Sequence, residues 1–218
     1  RQPGSAIKPF VYTAAIDSGN YTPATIFVDE PVKYPDGYDD DGVEKFWTPT
    51  NYDKIYRGPI RLREAFEDSI NTIAVKLVEE LGPSRVVQTA KKMGVTSLLT
   101  SGKINDLGYS SLALGGLTKG VSPLELATAY TPLANRGIRS EPIAILKVMN
   151  DENHVIIENI PSREVALRET TAYMMTDLLK GVVERGTGRR ANIGRPAAGK
   201  TGTTSEYTNG WFVGYTPE

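Results

Sequence analysis

Ser5-Ala6-Ile7-Lys8-Pro9-Phe10-Val11-Tyr12-Thr13-Ala14-Ala15, close to the start of this 218-residue chain, has the pattern of a helix. Pro3 and Gly4 are turn residues, so they place Ser5 where the helix begins. Serine and lysine at positions 5 and 8 are three residues apart, which puts their hydroxyl and amine on one helix face within contact range. Apolar residues at helical spacing predict one buried face: Ile7, Val11, Ala14 and Ala15.

The pair formed by Ser5 and Lys8 has the composition of an acyl-transfer site. An unassisted serine is a poor nucleophile, but a neighbouring neutral lysine can accept its proton. A helix N-terminus and a second cation would lower the pKa of that lysine, and the helix dipole would stabilise a developing oxyanion. The alternative is structural: a capped helix that carries a solvated lysine.

The composition excludes several other chemistries. The chain has no cysteine and one histidine, so disulfides, thiol catalysis, zinc fingers and paired-histidine metal sites are excluded, and we expect no metal and no cofactor. The single histidine, His154, lies in a polar segment typical of a hairpin tip, which disfavours a histidine-based serine triad. Lys+Arg 25 against Asp+Glu 26 disfavours nucleic acid as a partner. No apolar run approaches the roughly 18 residues that span a bilayer.

The middle of the chain is mainly helical. Periodic apolar residues predict helices over 60–81, 83–93, 123–136 and 170–185, and Ser122-Pro123-Leu124-Glu125 is a capping box that fixes the start of the third. Two β-rich runs, 143–149 and 154–158, predict a hairpin. Residues 17–58 have little periodicity and predict a long irregular loop, in which the acidic run 36–42 resembles a calcium loop but lacks the required aspartate five residues before Gly42.

Two further short motifs carry hydroxyl, amide and amine groups. Ser69-Ile70-Asn71 could relay a proton and hold a substrate amide, whereas the identically spelled Ser18-Gly19-Asn20 more plausibly ends the first helix. Lys200-Thr201-Gly202-Thr203-Thr204 lies in a region, 195–215, that predicts strands. Its lysine and hydroxyls could bind a carboxylate, and the glycine would let an extended substrate lie against the strand.

A nucleotide-binding alternative comes from the same region. The segment 194–201, Gly-Arg-Pro-Ala-Ala-Gly-Lys-Thr, matches the phosphate-binding loop G-x-x-x-x-G-K-[ST] literally. That loop requires a helix beginning at its Lys-Thr, but the residues that follow, Gly202-Thr203-Thr204-Ser205, are poor helix formers. A P-loop nucleotide binder is therefore a remote alternative.

Taken together, Ser-x-x-Lys, Ser-x-Asn and Lys-Thr-Gly in this order resemble the penicillin-recognising serine acyl transferases. The flanking segments 1–10, 199–204 and 211–217, together with the helical stretch 113–137, look like the transpeptidase domain of class A, bifunctional penicillin-binding proteins. The resemblance implies an α+β fold of the penicillin-binding protein and serine β-lactamase type, with helices packed on an antiparallel sheet. It makes residues 1–218 a partial transpeptidase domain.

The resemblance also implies roles for the matching residues. Ser5 would be the nucleophile, Lys8 its base, and Ser69 would pass a proton to the leaving group with Lys200 nearby. Asn71 would hold the amide of the donor peptide. The terminal carboxylate would be bound by Thr201 and Thr203 beside Gly202, and the backbone amides of Ser5 and Thr203 would form the oxyanion hole.

The partners that this resemblance implies are peptidoglycan stem peptides ending in D-alanyl-D-alanine, with β-lactams acylating Ser5 as substrate mimics. The site would face the bacterial cell surface or periplasm, in a membrane-anchored parent with a glycosyltransferase domain. Two alternatives stay open. A non-catalytic sensor of β-lactams or wall peptides would keep the same motifs, and a serine β-lactamase would need a dedicated base for water, yet no Glu-x-x-Leu-Asn follows Ser69.

Strands expected ahead of Ser5 and after 211–217 in complete domains are missing from this sequence. We therefore expect an incomplete sheet with an exposed edge and, if these residues are the whole polypeptide, weak stability or assembly through that edge.

Overall fold

The computed structural model of the chain describes residues 1–38, 41–204 and 208–217. Helices dominate it, and their bounds are α1 Lys8–Asp17, α2 Leu62–Glu67, α3 Asn71–Leu81, α4 Pro83–Met93, α5 Tyr109–Leu114, α6 Pro123–Ala134 and α7 Glu169–Glu184. Short 3-10 turns cover Gly4–Ile7 and Arg189–Ala191.

The strands form two-stranded antiparallel pairs. Their bounds are β1 Ile26–Asp29, β2 Tyr34–Tyr38, β3 Glu44–Trp47, β4 Gly58–Arg61, β5 Ile138–Ser140, β6 Lys147–Met149, β7 Val155–Glu158, β8 Arg163–Val165, β9 Ala198–Thr203 and β10 Gly210–Tyr215. The pairs are β1 with β4, β2 with β3, β5 with β8, β6 with β7, and β9 with β10. In the last pair Thr203 lies opposite Gly210 and Ala198 opposite Tyr215.

Helix α1 lies at the centre of the molecule. Every residue from Lys8 to Ile16 is buried, because α1 contacts α3, α4, α5 and α7. The expectation of one apolar face is therefore wrong: small and apolar residues surround the whole helix, as is typical of a buried helix. Helix α7 packs on β9 and α6 contacts β10, so helices cover this pair of strands.

Several predicted boundaries are confirmed. Helix α4 has the predicted bounds and ends at Gly94, and α6 begins with the predicted capping box, in which the Ser122 hydroxyl accepts from the Glu125 amide at 3.1 Å. Ser18 follows the last residue of α1, as expected of the segment that ends it. The β6–β7 hairpin forms, and the side chain of His154 at its tip is 74% exposed.

Other predictions need correction. The predicted loop 17–58 contains β1, β2, β3 and the first residue of β4. Strand β1 pairs with the distant β4, which leaves little local signal, and β2 contains proline, aspartate and glycine, which are depleted in strands. Within this loop, residues 36–38 belong to β2, and Asp39 and Asp40 lie outside the described residues. The predicted helix 60–81 is two helices, since Ile60 lies in β4 and the chain turns sharply at Ser69 between α2 and α3.

Candidate active site

Two lysine amines converge on the side chain of Ser69. Lys8 Nζ lies 3.2 Å from Ser69 Oγ, and Lys200 Nζ lies 2.9 Å from the same oxygen. Lys8 comes from the first turn of α1, Ser69 from the α2–α3 turn and Lys200 from β9. Three segments that are distant in sequence thus place two amines and one hydroxyl in direct contact.

Burial changes the protonation of both amines. Lys8 and Lys200 are fully buried. Burial, followed by the charge of Lys200, holds the pKa of Lys8 well below its ordinary value, and burial lowers the pKa of Lys200 to about 7. A lysine with a lowered pKa can be neutral near physiological pH, and only the neutral amine can act as a base.

The α2–α3 turn is held in a strained conformation. Ser69 has φ +57°, a region that residues with side chains rarely adopt. The turn is fixed by backbone bonds from the Ser69 amide to Phe66 at 3.1 Å and from the Ile70 amide to Ala65 at 2.8 Å. The carbonyl of Ser69 also accepts from Lys8 Nζ at 2.6 Å. The lysine therefore contacts both the backbone and the hydroxyl of the strained residue.

Asn71 completes the cluster from the first position of α3. Its side-chain oxygen accepts from Lys8 Nζ at 2.7 Å, and its side-chain nitrogen donates to the carbonyl of Thr50 at 2.8 Å. These two partners define the orientation of the amide, with its oxygen toward the lysine.

Ser5 lies in the 3-10 turn before α1 and lines a cleft with a volume of about 1110 Å³. Ser69, Asn71, Thr201 and Thr203 line the same cleft. A hydrogen bond to helix α6 stabilises the turn, because the buried hydroxyl of Tyr130 donates to the Ala6 carbonyl at 2.9 Å. The cleft therefore brings the predicted serine together with residues of the other two motifs.

Strand β9 forms one wall of the cleft, and its side chains alternate. Lys200 and Gly202 are buried, whereas Thr201 and Thr203 line the cleft. The prediction that Gly202 makes room for a substrate stays a prediction, and the structure gives a second reason for the glycine. A Cβ at position 202 would overlap the carbonyl of Pro3, so the glycine lets β9 approach the backbone just before Ser5.

The nucleotide-binding alternative is not supported by the local structure. Gly199, Lys200 and Thr201 lie inside β9, so no helix begins at the lysine to receive a phosphate. The Lys200 amine instead bonds to Ser69.

In the described part of the chain, no group of three or more His, Cys, Asp and Glu could hold a metal ion. Nor does any helix there have the length and apolarity to cross a membrane.

Sequence reasoning missed two residues at this site, Thr187 and Asn51. The hydroxyl of Thr187 lies 2.8 Å from that of Thr201, so it can orient a group that faces the cleft. Asn51 also lines the cleft and contacts the backbone amide of Asn71 at 3.0 Å. Neither residue belongs to a motif that a single sequence exposes.

Comparison with known proteins shows the family to which the chain belongs. The family model described as the penicillin binding protein transpeptidase domain matches residues 1–218, and the chain belongs to this family. Penicillin-binding protein 1A of Aquifex aeolicus is 39% identical over 218 residues, which are 100% of this chain and 28% of that protein. The chain spans under a third of the curated relatives it matches.

Two solved structures are similar as well. Penicillin-binding protein 1A of Haemophilus influenzae superposes with a TM-score of 0.86 at 24% identity, covering 99% of this chain and 36% of that one, which supports the fold alone. PonA1 of Mycobacterium tuberculosis in complex with penicillin V has a TM-score of 0.81 at 26% identity and covers 100% of this chain and 58% of that chain. The expected α+β fold of the penicillin-binding type is thus confirmed.

Proposed function

We propose that this chain is a serine acyl transferase that cross-links peptidoglycan stem peptides through an acyl-enzyme on Ser5. The observation that carries the proposal is the convergence of two buried lysines with lowered pKa values on Ser69, in the cleft that Ser5 lines. Membership of the transpeptidase family supports this reaction class.

Lys8 is the proposed base. In the neutral form its amine has two N–H bonds, and the two nearest acceptors are the Ser69 carbonyl at 2.6 Å and the Asn71 side-chain oxygen at 2.7 Å. With both hydrogens so used, the lone pair is left for a hydroxyl proton. Lys200 donates to Ser69 Oγ and stabilises that hydroxyl as a proton relay.

The proposed first step forms a bond between Ser5 Oγ and the carbonyl carbon that links two terminal D-alanines. The serine proton goes to Lys8, the C–N bond breaks, and the departing D-alanine amine receives a proton through Ser69. The backbone amides of Ser5 and Thr203 would bind the oxyanion. An amine of a second stem peptide then attacks the ester carbonyl, the bond between that carbon and Ser5 Oγ breaks, and the proton lost by the amine passes through Lys8 to Ser5 Oγ. The new amide is the cross-link.

The side chains that line the cleft are the proposed substrate-binding groups. Asn71 would hold the amide of the donor peptide, and the hydroxyls of Thr201 and Thr203 would bind its terminal carboxylate, with the Thr187–Thr201 contact orienting one of them. Gly202 acts indirectly, because the absence of a side chain lets β9 pack against the turn that carries Ser5. β-Lactams would acylate the same serine, which is supported by the related PonA1 structure with penicillin V.

We further propose that the whole protein is membrane-anchored and acts at the outer face of the membrane, where stem peptides are available. Its curated relatives are named penicillin-binding protein 1A. Trimming of the terminal D-alanine by water, a carboxypeptidase reaction, would use the same acyl-enzyme with a different acceptor.

Intact-protein mass spectrometry after exposure to a penicillin tests the proposal, with Ser5→Ala as the matched variant. We expect one adduct of the mass of the intact antibiotic, absent from Ser5→Ala. An adduct that disappears within minutes would indicate a β-lactamase instead. Turnover of a D-alanine thioester donor with an amine acceptor separates a transferase from a sensor, which would bind without turnover.

A further inference from the structure

Helix α3 begins at the site without a capping side chain of its own. Its N-cap residue, Ile70, offers no side-chain acceptor to the first amides of the helix. Asn51, from the loop between β3 and β4, takes that position: its side-chain oxygen accepts from the backbone amide of Asn71 at 3.0 Å and from that of Thr72 at 3.4 Å. A residue twenty positions earlier in the chain thus caps the helix that carries the Ser-x-Asn motif.

The orientation of Asn51 is fixed by the buried carboxylate of Asp29. Asn51 Nδ2 lies 3.0 and 2.9 Å from the two Asp29 oxygens and 2.8 Å from the carbonyl of Ile55. Asp29 is 1% exposed and Asn51 is 3% exposed. A carboxylate offers only acceptors here, so the amide must turn its nitrogen toward Asp29 and its oxygen toward α3.

Asp29 is in turn held by the elements around it. Its carboxylate accepts from the Thr72 hydroxyl at 2.5 Å and from the Arg57 backbone amide at 3.0 Å, and the Arg57 guanidinium lies 3.9 Å away. The network therefore joins the end of β1, the loop before β4 and the first turn of α3. A buried polar network with its partners in place specifies one arrangement of the groups that it joins.

The same loop sets the side chain of Asn71. The carbonyl of Thr50, the residue before Asn51, accepts from Asn71 Nδ2 at 2.8 Å, so the opposite end of that amide, its oxygen, faces Lys8 Nζ at 2.7 Å. A reversed amide would direct its NH2 at Lys8 and occupy the lone pair that must accept the serine proton.

We propose that Asn51, oriented by Asp29, is a positioning residue for acyl transfer: it fixes the start of α3 so that Asn71 presents its oxygen to Lys8. The inference rests on the proposed function. It adds a residue pair outside the three motifs, contributed by the loop 48–57 and the end of β1.

The isosteric substitution Asn51→Asp tests this role. It keeps an acceptor for α3 but places a second carboxylate against Asp29, so the new side chain turns away. We expect the second-order rate constant for acylation by a fluorescent penicillin to fall about 10- to 100-fold, since small misplacements of reacting groups cost rates of this size. Circular dichroism would verify that the variant is folded at the assay temperature.

The double substitution Asp29→Asn with Asn51→Asp restores a donor opposite an acceptor between these two side chains and gives up the bond from residue 51 to the Ile55 carbonyl. We expect acylation within about fivefold of the natural protein, whether or not the single variant folds. Val86→Ala, a core truncation in α4, is the matched control: it lowers the melting temperature without contacting the site, and its acylation rate should be unchanged.

Three results would overturn the inference. They are a folded Asn51→Asp variant that acylates within threefold of the natural protein, a folded double variant that does not recover, and a Val86→Ala variant that loses as much rate. Absence of an adduct on the natural protein would overturn the proposed function instead, so the two failures are distinguishable.

Discussion

Lys8 and Lys200 share one hydrogen-bond acceptor, the hydroxyl oxygen of Ser69, at 3.2 and 2.9 Å. Both amines are fully buried, and two ammonium groups so close together in a site shielded from water repel each other. The arrangement therefore favours a neutral amine beside a cationic one. That is the combination in which one lysine accepts a proton and the other stabilises the relay.

Replacing Lys8 by arginine removes the base and places a permanent positive charge at that position. Arginine stays protonated in proteins, so it cannot accept the serine proton. We expect the acylation rate constant of Lys8→Arg to fall about 10²- to 10⁴-fold, the usual contribution of a general base. Stopped-flow measurement with a fluorescent penicillin checks this, with the exposed Lys92→Arg as the control for the same change. A loss below tenfold in the folded variant would exclude Lys8 as the base.

Replacing Lys200 by methionine should change the pH dependence of acylation. The charge of Lys200 is one cause of the lowered pKa of Lys8, so its removal lets that pKa rise. Because the base must be deprotonated, the acid limb of the rate profile is expected to move to higher pH, with a lower rate at pH 7. Acylation rates between pH 5 and 9 measure the limb, and a limb that stays or moves to lower pH would contradict the coupling.

The buried lysines also predict how stability depends on pH. The pKa of Lys200 is about 7 in the folded protein against an ordinary value of 10.5, so between these values the unfolded chain binds more protons. The free energy of unfolding should therefore rise from pH 7 toward pH 10. Above that, the raised pKa values of Tyr12 and Tyr130 reverse the trend.

Urea unfolding at pH 7 and pH 9.5 tests this dependence. Between these two pH values, we expect the free energy of unfolding to increase less in Lys200→Met than in the natural protein. The increase that remains in the variant would come from Lys8. Equal increases in the two proteins would mean that Lys200 does not titrate in this window.

Gly202→Ala should separate β9 from the turn that carries Ser5. The new Cβ would overlap the Pro3 carbonyl and lie 3.0 Å from the Ala6 side chain, so the strand must shift. We expect a loss of about 1–3 kcal/mol of stability and a fall in acylation. Gly210→Ala, on the neighbouring strand with open space around it, is the matched control and should be nearly neutral. Melting temperatures and adduct formation measure both effects.

Arg185 stabilises the segment before the Ser69 turn. Its guanidinium contacts both oxygens of Glu67, whose side chain is 7% exposed, so Arg185→Met leaves a buried carboxylate without its main cation. We expect the free energy of unfolding to fall by about 2 kcal/mol. This is less than the loss expected for a fully buried ion pair, because the arginine itself is half-exposed. Arg136→Met, which breaks a surface pair with Glu169, should change stability by no more than about 0.5 kcal/mol in the same denaturation assay.

Local signals predicted the helices well because caps and periodic apolar residues act over a few positions. The capping box at Ser122 and the glycine after Met93 set boundaries that the structure reproduces. The strands between residues 26 and 61 were missed for two reasons. Strand β1 pairs with the distant β4, so that Phe27 lies opposite Ile60, and β2 contains proline, aspartate and glycine, which are depleted in strands. The break at Ser69 was missed because a left-handed serine has no local sequence signal.

The reactive groups of this protein can be read from its sequence. They are a serine with a lysine one helical turn away, a second serine two residues before an asparagine, and a lysine followed by Thr-Gly-Thr. How those groups act depends on the fold. Burial of the two amines lowers their pKa values, and the long-range contacts of Lys8, Ser69 and Lys200 fix their distances. The Asp29–Asn51 network is likewise invisible in the sequence, because desolvation and hydrogen-bond direction depend on neighbours that folding supplies.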